Sequence, residues 1–583
     1  MPSIRRVEIS RFRGINALSW YPKPGLNCLI GPGDSCKSTI LTAIDFALGA
    51  RRNISFSDAD FFCTNTEDPI EITVTLGDLP DELLHLDKYG LFHRGYDATN
   101  YTLYDEPVVN LETVISVRLT VRNDLQPEWG LYSDRALNEG VERSIPWAQR
   151  ELIAPIKLDT TNDRHLTWGV RSLLNRLSDD AIDISGTLAS VARQTRNAFN
   201  TQPIPEFTPV LTRVKQIADR QGVELGELKA LLDVNGVSLS NGSVSLHNQD
   251  NTPLRQLGTG STRLLVSGIQ YETSNASILL IDEAEYGLEP FRITKLLNNL
   301  GAKSEPPGAQ VFITTHSPVV LRELKAEQVW IVRKQNIPNP PVTGVPQPAV
   351  APPSTLTHTV KQASSVAGAQ ATLRSNPEAF FARKVLVCEG KTEIGLCRGI
   401  DLFRMDSNNI TWLEKGVAFA DGGGDRMFER ATVFQVLGYR TAIFKDSDKP
   451  NEHLAHSQQM AVLQIPVIEW GNGFKIETAL FSQANAALIP RLLQAAVAWK
   501  GQQRIDAHLM NASNGQQNYS SYLTGFSEVN RSLLGEVAGS KGWLKDIEPM
   551  ESVGRTIVGP YHAQFSAYFQ QILNSLFGWL DAQ

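Results

Sequence analysis

The chain of 583 residues is poor in cysteine and has no long apolar run. Its five cysteines are scattered and odd in number, which argues against a disulfide framework, and none forms a Cys-x-x-Cys pair suited to zinc. No stretch approaches the roughly 18 uninterrupted apolar residues that a membrane helix needs, and the N-terminus lacks the apolar run of a secretory signal. We therefore expect a cytoplasmic protein with no membrane partner.

Positive charge is also in deficit, with 55 Lys and Arg against 62 Asp and Glu and a net charge of −7. This balance does not indicate a nucleic-acid binder, but it does not exclude one, because DNA contact needs only a local basic face. Hydrophobic residues make up 42% and charged residues 20% of the chain, which is the composition of a globular protein. A chain of this length exceeds one ordinary core, so two or more domains are expected.

The first glycine-rich motif lies between a predicted strand, 26–30, and a predicted helix, 38–48. A P-loop requires this strand–turn–helix context, since backbone N–H groups at a helix N-terminus cradle phosphates. Lys37 would reach the β and γ oxygens of ATP, and Ser38 would hold Mg²⁺. Cys36 stands where glycine is usual, which we interpret as a tolerated deviation. The residues predicted to contact ATP here are Gly31, Gly33, Asp34, Ser35, Cys36, Lys37, Ser38 and Thr39.

Two carboxylates end a later apolar run, Ile278-Leu279-Leu280-Ile281, in the pattern of a Walker B strand. Asp282 would hold the Mg²⁺ of ATP through water, and Glu283 would orient or activate the attacking water. His316 follows the next apolar run, and we predict that it contacts the γ-phosphate. Together with the P-loop, these residues predict an ATP-hydrolysing site.

Two shorter segments support this interpretation. Gly287-Leu288-Glu289-Pro290 occupies the place of the D-loop, and Leu257-Gly258-Thr259-Gly260-Ser261 resembles the signature loop, with Gly258 in place of its usual serine. Gly258, Gly260 and Ser261 are therefore predicted nucleotide contacts. The order of these motifs resembles the ABC ATPases of the chromosome-maintenance and break-repair group. In that group the signature loop of one subunit closes on the ATP of the other, so the resemblance implies at least a dimer. The Q-loop glutamine is not identified, and the segment 55–62 is where we would search for it.

Acidic residues also close two apolar runs in the second half of the chain. Glu389 follows one run, with Glu393 four residues on, and Asp446 and Asp448 follow another. Because the carboxyl ends of parallel strands meet at one rim of a sheet, these carboxylates are expected to converge. Carboxylates so close repel each other unless cations neutralise them, and hard oxygen ligands favour Mg²⁺ or Mn²⁺.

The Glu-Gly-x-x-Glu element of residues 389–393, followed by Asp-x-Asp, resembles the Toprim domain. An ABC-type ATPase followed by Toprim resembles the overcoming-lysogenization-defect (OLD) family of nucleases, and the likeness includes the stretches 373–383 and 471–481. The resemblance implies that Glu477 is a further metal ligand and that a C-terminal lysine, Lys541 or Lys545, assists the chemistry. It also implies two metal ions per Toprim site and one per ATP.

The resemblance therefore implies an ATP-regulated, metal-dependent DNA endonuclease that acts in defence against phage. Its implied partners are DNA, further copies of the chain as a homodimer or larger homo-oligomer, and a co-encoded component, either a helicase or a reverse transcriptase with its DNA product. The predicted catalytic residues are Glu389, Asp446, Asp448, Lys541, Lys545, Glu283 and His316. The predicted metal ligands are Glu389, Glu393, Asp446, Asp448, Glu477, Ser38 and Asp282.

The expected fold class is α/β, with an ABC-type ATPase domain that carries a helical dimerisation insertion and is followed by a Toprim α/β domain. The insertion is equally well interpreted as extra core, and a Pro-rich stretch is interpreted as the linker between domains. The predicted boundaries are 1–160 for the first ATPase part, 161–235 for the insertion, 236–335 for the second ATPase part, 336–370 for the linker, and 371–583 for Toprim with a C-terminal helical extension.

The main alternative function is a structural ABC-type ATPase that clamps or repairs DNA and carries an inactive Toprim domain. Toprim also occurs in topoisomerases and primases. A topoisomerase needs a nucleophilic tyrosine and a strand-passage gate, and a primase usually needs a zinc module. The sequence offers no candidate for these parts, so both are disfavoured.

Overall fold

A computed structural model of the chain describes residues 2–50, 54–158, 166, 205–232, 244–273, 277–303, 309–338, 354–524 and 528–582. It divides into two compact units, Met1–Gln362 and Ala363–Gln583. In these ranges no helix is both long enough and apolar enough to cross a membrane.

The first unit is built on a large mixed sheet. Its strands are β1 (Ser3–Phe12), β2 (Ile15–Trp20), β3 (Leu26–Ile30), β4 (Ile70–Gly77), β5 (His93–Asp97), β6 (Thr102–Tyr104), β7 (Glu112–Val121), β8 (Pro127–Tyr132), β9 (Arg143–Ser144), β10 (Ile156–Leu158), β11 (Lys229–Leu232), β12 (Val244–His247), β13 (Ile278–Ile281), β14 (Gln310–Thr314), β15 (Val329–Pro338) and β16 (Ser354–Gln362). The sheet runs β10, β13, β14, β3, β15, β16, β2, β1, β4, β7, β5, β6, with β8 and β9 added beside β7. β11 and β12 form a separate antiparallel pair.

Five neighbouring strands of the large sheet, β10, β13, β14, β3 and β15, run parallel. Every residue of β3 and β14 is buried, as expected for strands covered on both faces. On one side of this core the Trp20 ring packs edge-on against Phe312 and Trp330, with centroids 5.6 and 5.5 Å away. Parallel pairing brings the carboxyl ends of β3, β13 and β14 to one edge of the sheet, where the nucleotide motifs lie.

The helices of the first unit cover this sheet. They are α1 (Lys37–Leu48), α2 (Leu86–Tyr89), α3 (Asp134–Asn138), α4 (Trp147–Ile153), α5 (Phe207–Gln221), α6 (Thr259–Thr273), α7 (Pro290–Asn299) and α8 (Pro318–Glu323). The apolar face predicted for α1 is confirmed, since Ile40, Leu41, Ile44 and Leu48 are all buried.

Most of the predicted helical insertion, 161–235, lies outside the described residues. Within the described part, α5 packs its apolar face on α6, where a Cβ added to Gly268 would lie 2.6 Å from Ile217 Cγ2. This helix therefore contributes to the core. The helical prediction is wrong for Lys229–Leu232, which form β11, because pairing with β12 overrides the local helix preference of this short segment.

The predicted linker 336–370 includes residues of two strands, one on either side of the prolines. β15 and β16 flank the prolines and pair antiparallel from Trp330 opposite Gln362 to Pro338 opposite Ser354. The unit boundary falls after Gln362. Both strands belong to the sheet of the first unit, so their hydrogen bonds hold the two ends of the stretch side by side.

The second unit has four parallel strands, β17 (Lys384–Cys388), β18 (Val417–Asp421), β19 (Arg440–Lys445) and β20 (Val467–Glu469). Their order is β18, β17, β19, β20. β20 begins directly after Pro466 and forms the edge, as expected for a strand beside a proline. The helices are α9 (Ala369–Ser375), α10 (Lys391–Asp406), α11 (Met427–Val436), α12 (Pro450–Val462), α13 (Ile476–Gln483), α14 (Ile489–Lys500), α15 (Gln502–Ala512), α16 (Tyr519–Thr524), α17 (Glu528–Lys541), α18 (Ile547–Val553), α19 (Gly559–Tyr561) and α20 (Ala567–Asp581).

Close packing of α10 on α18 depends on two glycines one helical turn apart. A Cβ on Gly395 would lie 2.6 Å from the Ile547 carbonyl oxygen, and a Cβ on Gly399 would lie 2.1 Å from the Glu551 carbonyl oxygen. Backbone atoms cannot yield as a flexible side chain can. The C-terminal helices are thus held against the helix that follows β17.

We predict that Gly399→Ala lowers the free energy of unfolding by ~1–3 kcal/mol, because the added methyl group overpacks this contact. The matched control is Gly578→Ala in α20, where an added Cβ meets no atom within 4 Å. The control should gain ~0.5–1 kcal/mol from the better helix propensity of alanine. Urea denaturation of both variants measures the difference. Equal stability of the two would contradict the close packing of α10 on α18.

Candidate functional site

The P-loop turn connects β3 to α1. Gly31 follows β3 with φ of 151°, and a Cβ there would lie 2.4 Å from the Val332 carbonyl oxygen, so this position requires glycine. Lys37 Nζ donates to the carbonyl oxygens of Gly31 (3.1 Å) and Pro32 (3.0 Å) and to Ser35 Oγ (3.2 Å). Burial lowers the pKa of the Lys37 ammonium, and the charge of Asp282 opposes this effect. The turn therefore surrounds a buried cation with oxygen atoms.

Cys36 caps the N-terminus of α1 in a left-handed conformation, with φ 65° and ψ 25°. Glycine adopts this region without strain, whereas other residues pay for the contact of Cβ with the backbone. The Cys36 sulfur also lies against Gly14, since a Cβ there would be 2.7 Å from Sγ. The glycine usual at this P-loop position is therefore explained by backbone conformation.

The Walker B carboxylate Asp282, directly after β13, joins the end of β14 to the start of α1. Its Oδ1 accepts hydrogen bonds from Ser38 Oγ (2.9 Å) and from Thr314 Oγ1 (2.5 Å). Glu283 has φ of 48°, and its N–H donates to the same Thr314 hydroxyl (2.8 Å). The two residues predicted to hold the Mg²⁺ of ATP, Ser38 and Asp282, are thus in direct contact.

Glu285 contacts the segment that carries His316. Its carboxylate accepts hydrogen bonds from Thr315 Oγ1 (2.6 Å) and from the His316 N–H (2.6 Å). Burial lowers the pKa of the His316 imidazole, and the charge of Lys37 lowers it further. Sequence reasoning assigned no role to Glu285, Thr314 or Thr315. The sequence signal that could have indicated their role is their position at, or just after, the ends of two neighbouring parallel strands.

The predicted signature segment contacts the D-loop. A Cβ on Gly260 would lie 2.2 Å from the Gly287 carbonyl oxygen. Ser261 Oγ accepts a hydrogen bond from Arg292 (2.9 Å). The buried Arg263, which sequence reasoning missed, donates to the Asp282 carbonyl oxygen (2.7 Å) and so links α6 to the Walker B strand. Gly258 and Gly33 lie in open space, where an added Cβ would meet no atom within 4 Å.

In the second unit, Glu389 and Asp446 lie at the carboxyl ends of the adjacent strands β17 and β19. The Glu389 N–H donates to the Phe444 carbonyl oxygen (2.9 Å), and the Asp446 N–H donates to Glu389 Oε2 (2.9 Å). Asp446 Oδ1 accepts the N–H of Ile476 (2.9 Å), the first residue of α13. One oxygen of each carboxylate is therefore held by the backbone.

Two of the other predicted ligands, Glu393 and Glu477, lie in the first turns of helices that start at this end of the sheet, and Asp448 lies in the turn between β19 and α12. We name this end of the sheet, with its five predicted ligands, the carboxylate rim. Glu393 is buried, and its Oε2 accepts the Gly390 N–H (3.0 Å) at the start of α10. Glu477 is buried in the first turn of α13, and its Oε1 has no hydrogen-bond partner. Asp448 Oδ2 lies 3.7 Å from Lys475 Nζ. A buried carboxylate oxygen without a partner is costly unless a cation approaches it.

The pKa values of four of these carboxyl groups are raised. Burial, with the charges of Glu389, Glu477 and Asp448, raises the pKa of Asp446 to about 8. Burial also raises the pKa of Glu389 and of Glu477. It raises the pKa of Glu393 well above its usual range, and the charge of Asp446 adds to this effect. A cation at the rim would relieve both the burial of these charges and their repulsion.

The five predicted ligands share this rim but do not form a coordination shell. Among the described residues, no group of three or more His, Cys, Asp or Glu side chains is arranged to hold a metal ion. Backbone hydrogen bonds to Glu389, Asp446 and Glu393 turn one oxygen of each towards the chain.

The two candidate lysines differ in their surroundings. Burial raises the pKa of Glu477, and the ammonium of Lys545 is the nearby cation that opposes this effect most. Lys541, the last residue of α17, instead lowers the pKa of His508, after the larger effect of burial. Both lysines are exposed.

A glycine loop that sequence reasoning missed borders the same rim. Gly424 follows β18, and its N–H donates to the Glu389 carbonyl oxygen (2.9 Å). Asp425 Oδ1 lies 3.1 Å from His453 Nε2 and 3.2 Å from Lys449 Nζ. Asp425 therefore connects this loop to α12, directly after the Asp-x-Asp motif.

We predict that Cys36→Gly stabilises the protein by roughly 0.5–1 kcal/mol relative to Cys36→Ala, because only glycine relieves the left-handed strain. ATP hydrolysis by Cys36→Gly should be at least as fast as that of the wild type. Thermal unfolding and phosphate release measure the two effects. A severe loss of ATP hydrolysis in Cys36→Gly, with Cys36→Ala active, would contradict a tolerated deviation.

Three solved structures give distant matches to the chain. The Smc head bound to the C-winged helix domain of ScpA is 14% identical, with 62% of this chain and 99% of that chain covered and a TM-score of 0.35. The Smc head with an extended coiled coil bound to the C-terminal domain of ScpA, from Pyrococcus furiosus, is 12% identical, with coverages of 63% and 98% and a TM-score of 0.36. The recombination mediator RecF with ATPrS is 11% identical, with coverages of 57% and 96% and a TM-score of 0.32.

No curated protein sequence matches the chain. One family model, described as "AAA domain, putative AbiEii toxin, Type IV TA system", matches residues 26–322, just over half of the chain. The match includes the P-loop, the signature segment, the Walker B carboxylates and His316. The chain therefore belongs to this AAA-domain family.

Proposed function

We propose that the second unit hydrolyses phosphodiester bonds of DNA with divalent metal ions, and that the AAA domain hydrolyses ATP to regulate the cutting. The observation that carries this proposal is the position of Glu477, in the first turn of α13, near Glu389 and Asp446 at the ends of parallel strands, with Glu477 Oε1 buried and unpaired. Divalent cations would offset their repulsion.

The side chains carry the type of ligand atom that such ions prefer. Glu389, Asp446 and Asp448 supply hard oxygen ligands, and Glu477 adds the oxygen that has no partner in the protein. When bound, Mg²⁺ or Mn²⁺ would make a water acidic enough to attack phosphorus and would stabilise the departing 3′ oxygen.

The chain's own groups would orient the substrate and balance its charge. Lys545, beside Glu477, would offset the charge that grows on the non-bridging phosphate oxygens. Lys475, next to Asp448, can hold a neighbouring phosphate. Glu393 closes the first turn of α10 and so holds Glu389 at the rim.

The order of the motifs supports the same proposal. The Glu-Gly-x-x-Glu and Asp-x-Asp elements resemble Toprim, and their position after an ATPase resembles the OLD nucleases. We therefore also propose a role in defence against phage, with a co-encoded component as a further partner. The matched family is described as a putative toxin of type IV toxin–antitoxin systems, which is compatible with such a role.

In the AAA domain, we propose that Ser38 and Asp282 hold the Mg²⁺ of ATP, Glu283 orients the attacking water and His316 contacts the γ-phosphate. Glu285 would keep His316 in place through its two hydrogen bonds. We further propose an ABC-type homodimer in which Gly258, Gly260 and Ser261 of one copy complete the site of the other. Closure of that dimer would alter the access of DNA to the second unit.

The second candidate function is a structural ATPase whose second unit is inactive. It is favoured by the lack, among the described residues, of a preformed group of metal-ligating side chains. The two candidates differ in whether the carboxylates are needed for DNA cutting.

We predict that the wild type nicks supercoiled plasmid with Mg²⁺ or Mn²⁺, and that Asp446→Asn and Glu389→Ala lower the rate at least ~100-fold, because a ligand is lost. The matched control is Asp406→Asn, which removes a carboxylate paired with Arg555 on the surface of the same unit and should cut normally. Agarose electrophoresis with and without EDTA gives the rates. Equal cutting by Glu389→Ala and the wild type would leave the structural ATPase as the function.

The positions of the two lysines lead to a separate prediction. Lys545→Ala should lower kcat for DNA cutting by ~10-fold or more, because the proposed role of Lys545 is to offset the charge that grows on the reacting phosphate. Lys541→Ala should mainly raise KM, because its charge lies further along the surface, near His508. Steady-state cutting of a labelled duplex separates the two constants. A larger loss of kcat for Lys541→Ala would reverse the assignment.

A further inference from the structure

Positive side chains gather beside the carboxylate rim, although the chain as a whole is acidic. They come from the end of α14, the start of α15, the end of α17 and the turn after it. We name this group the basic cluster, which comprises Lys500, Arg504, Lys541 and Lys545.

Two contacts hold the elements of the basic cluster together. The buried Trp543 donates from Nε1 to His508 Nδ1 (3.1 Å), which joins the turn after α17 to α15. A Cβ on Gly539 would lie 2.1 Å from Thr478 Oγ1, so α17 lies directly on α13 next to Glu477. These buried contacts place Lys541 and Lys545 on a rigid surface beside the rim.

The positive charge of the basic cluster extends along α15. Arg504 stands one helical turn before His508, so the hydrogen bond from Trp543 to His508 brings the end of α17 and the turn after it, with Lys541 and Lys545, against the part of α15 that carries Arg504. In agreement with this arrangement, burial lowers the pKa of the His508 imidazole, and Lys541, Arg504 and Lys500 lower it further.

The cations of this surface lack acidic partners. In the part of the chain that the structure describes, no ion pair joins Lys500, Arg504, Lys541 or Lys545 to an Asp or Glu side chain. Unpaired cations held this close repel each other, which costs stability. A surface of this kind is suited to an extended polyanion that approaches several charges at once.

We propose that the basic cluster binds the phosphodiester backbone of DNA and leads one strand to the carboxylate rim. The inference rests on the proposed function, because it gives the substrate of that site a path. Ammonium and guanidinium groups on helix ends contact phosphates without reading bases, so this binding is independent of sequence. Each neutralised phosphate releases a counterion, which makes the affinity strongly dependent on salt.

The test compares two charge-reversal variants of the full chain. Lys500→Glu with Arg504→Glu alters the basic cluster at two residues outside the proposed catalytic group. Arg374→Glu with Arg491→Glu is the matched control, since both arginines are exposed, lie in the same unit and give the same net charge. Circular dichroism checks that both variants are folded.

Fluorescence anisotropy with a short labelled duplex, in EDTA so that no cutting occurs, gives Kd at several salt concentrations. The cluster variant should raise Kd at least ~10-fold and lower the slope of log Kd against log salt by about 2, because two phosphate contacts are lost. The control should match the wild type. A cluster variant with wild-type Kd, or equal losses in both variants, would overturn the proposal.

Two further measurements separate this proposal from its alternatives. Binding to phosphatidylserine vesicles that depends on the cluster, without binding to DNA, would overturn it in favour of a membrane surface. Plasmid cutting distinguishes it from the proposed nuclease. If the wild type binds DNA through the cluster but does not cut, the nuclease proposal fails and this one stands. If the wild type cuts and the cluster variant binds equally well, the reverse holds.

Discussion

The register of adjacent parallel strands is the constraint on which the carboxylate rim of the second unit depends. Cys388 lies opposite Phe444, so Glu389, the first residue after β17, and Asp446, the first residue after β19, both lie at the rim. The hydrogen bond from the Asp446 N–H to the Glu389 carboxylate closes this junction. A shift of one residue would turn one of these side chains away from the rim. Because this register fixes the two carboxylates side by side, burial raises the pKa of both.

In the AAA domain, parallel pairing likewise brings polar residues together at the ends of strands. Ile281 lies opposite Ile313, and Thr314 lies opposite Leu29, so the ends of β13, β14 and β3 stand side by side. Asp282, Thr314 and Ser38 meet there through hydroxyl–carboxylate hydrogen bonds. In both units, parallel pairing of apolar strands fixes where the polar residues that follow them must lie.

Strain and charge repulsion are concentrated at these strand ends. Cys36 and Glu283 have left-handed backbones, which non-glycine residues rarely adopt, and they flank the predicted nucleotide site. In the second unit the carboxylates repel each other near the start of α13, and α17, which ends at Lys541 of the basic cluster, packs on the same helix. Such arrangements are costly to the free protein and favour a ligand of matching charge. The opposite charges of rim and cluster suit a metal ion and a polyanion at neighbouring positions.

The sequence by itself determined the type and order of the elements: the P-loop turn, the Walker B strand, the parallel strands of the rear unit and the acidic residues that end them. These follow from local patterns of apolar strands and the turns after them. Only the tertiary structure decided which strand ends are neighbours, and so that Glu285 contacts the His316 segment. It also placed the Pro-rich stretch between two paired strands, and it showed that Lys229–Leu232 form a strand. Each of these depends on partners distant in the chain, whose pairing energy exceeds local preference and leaves no pattern in a short window of sequence.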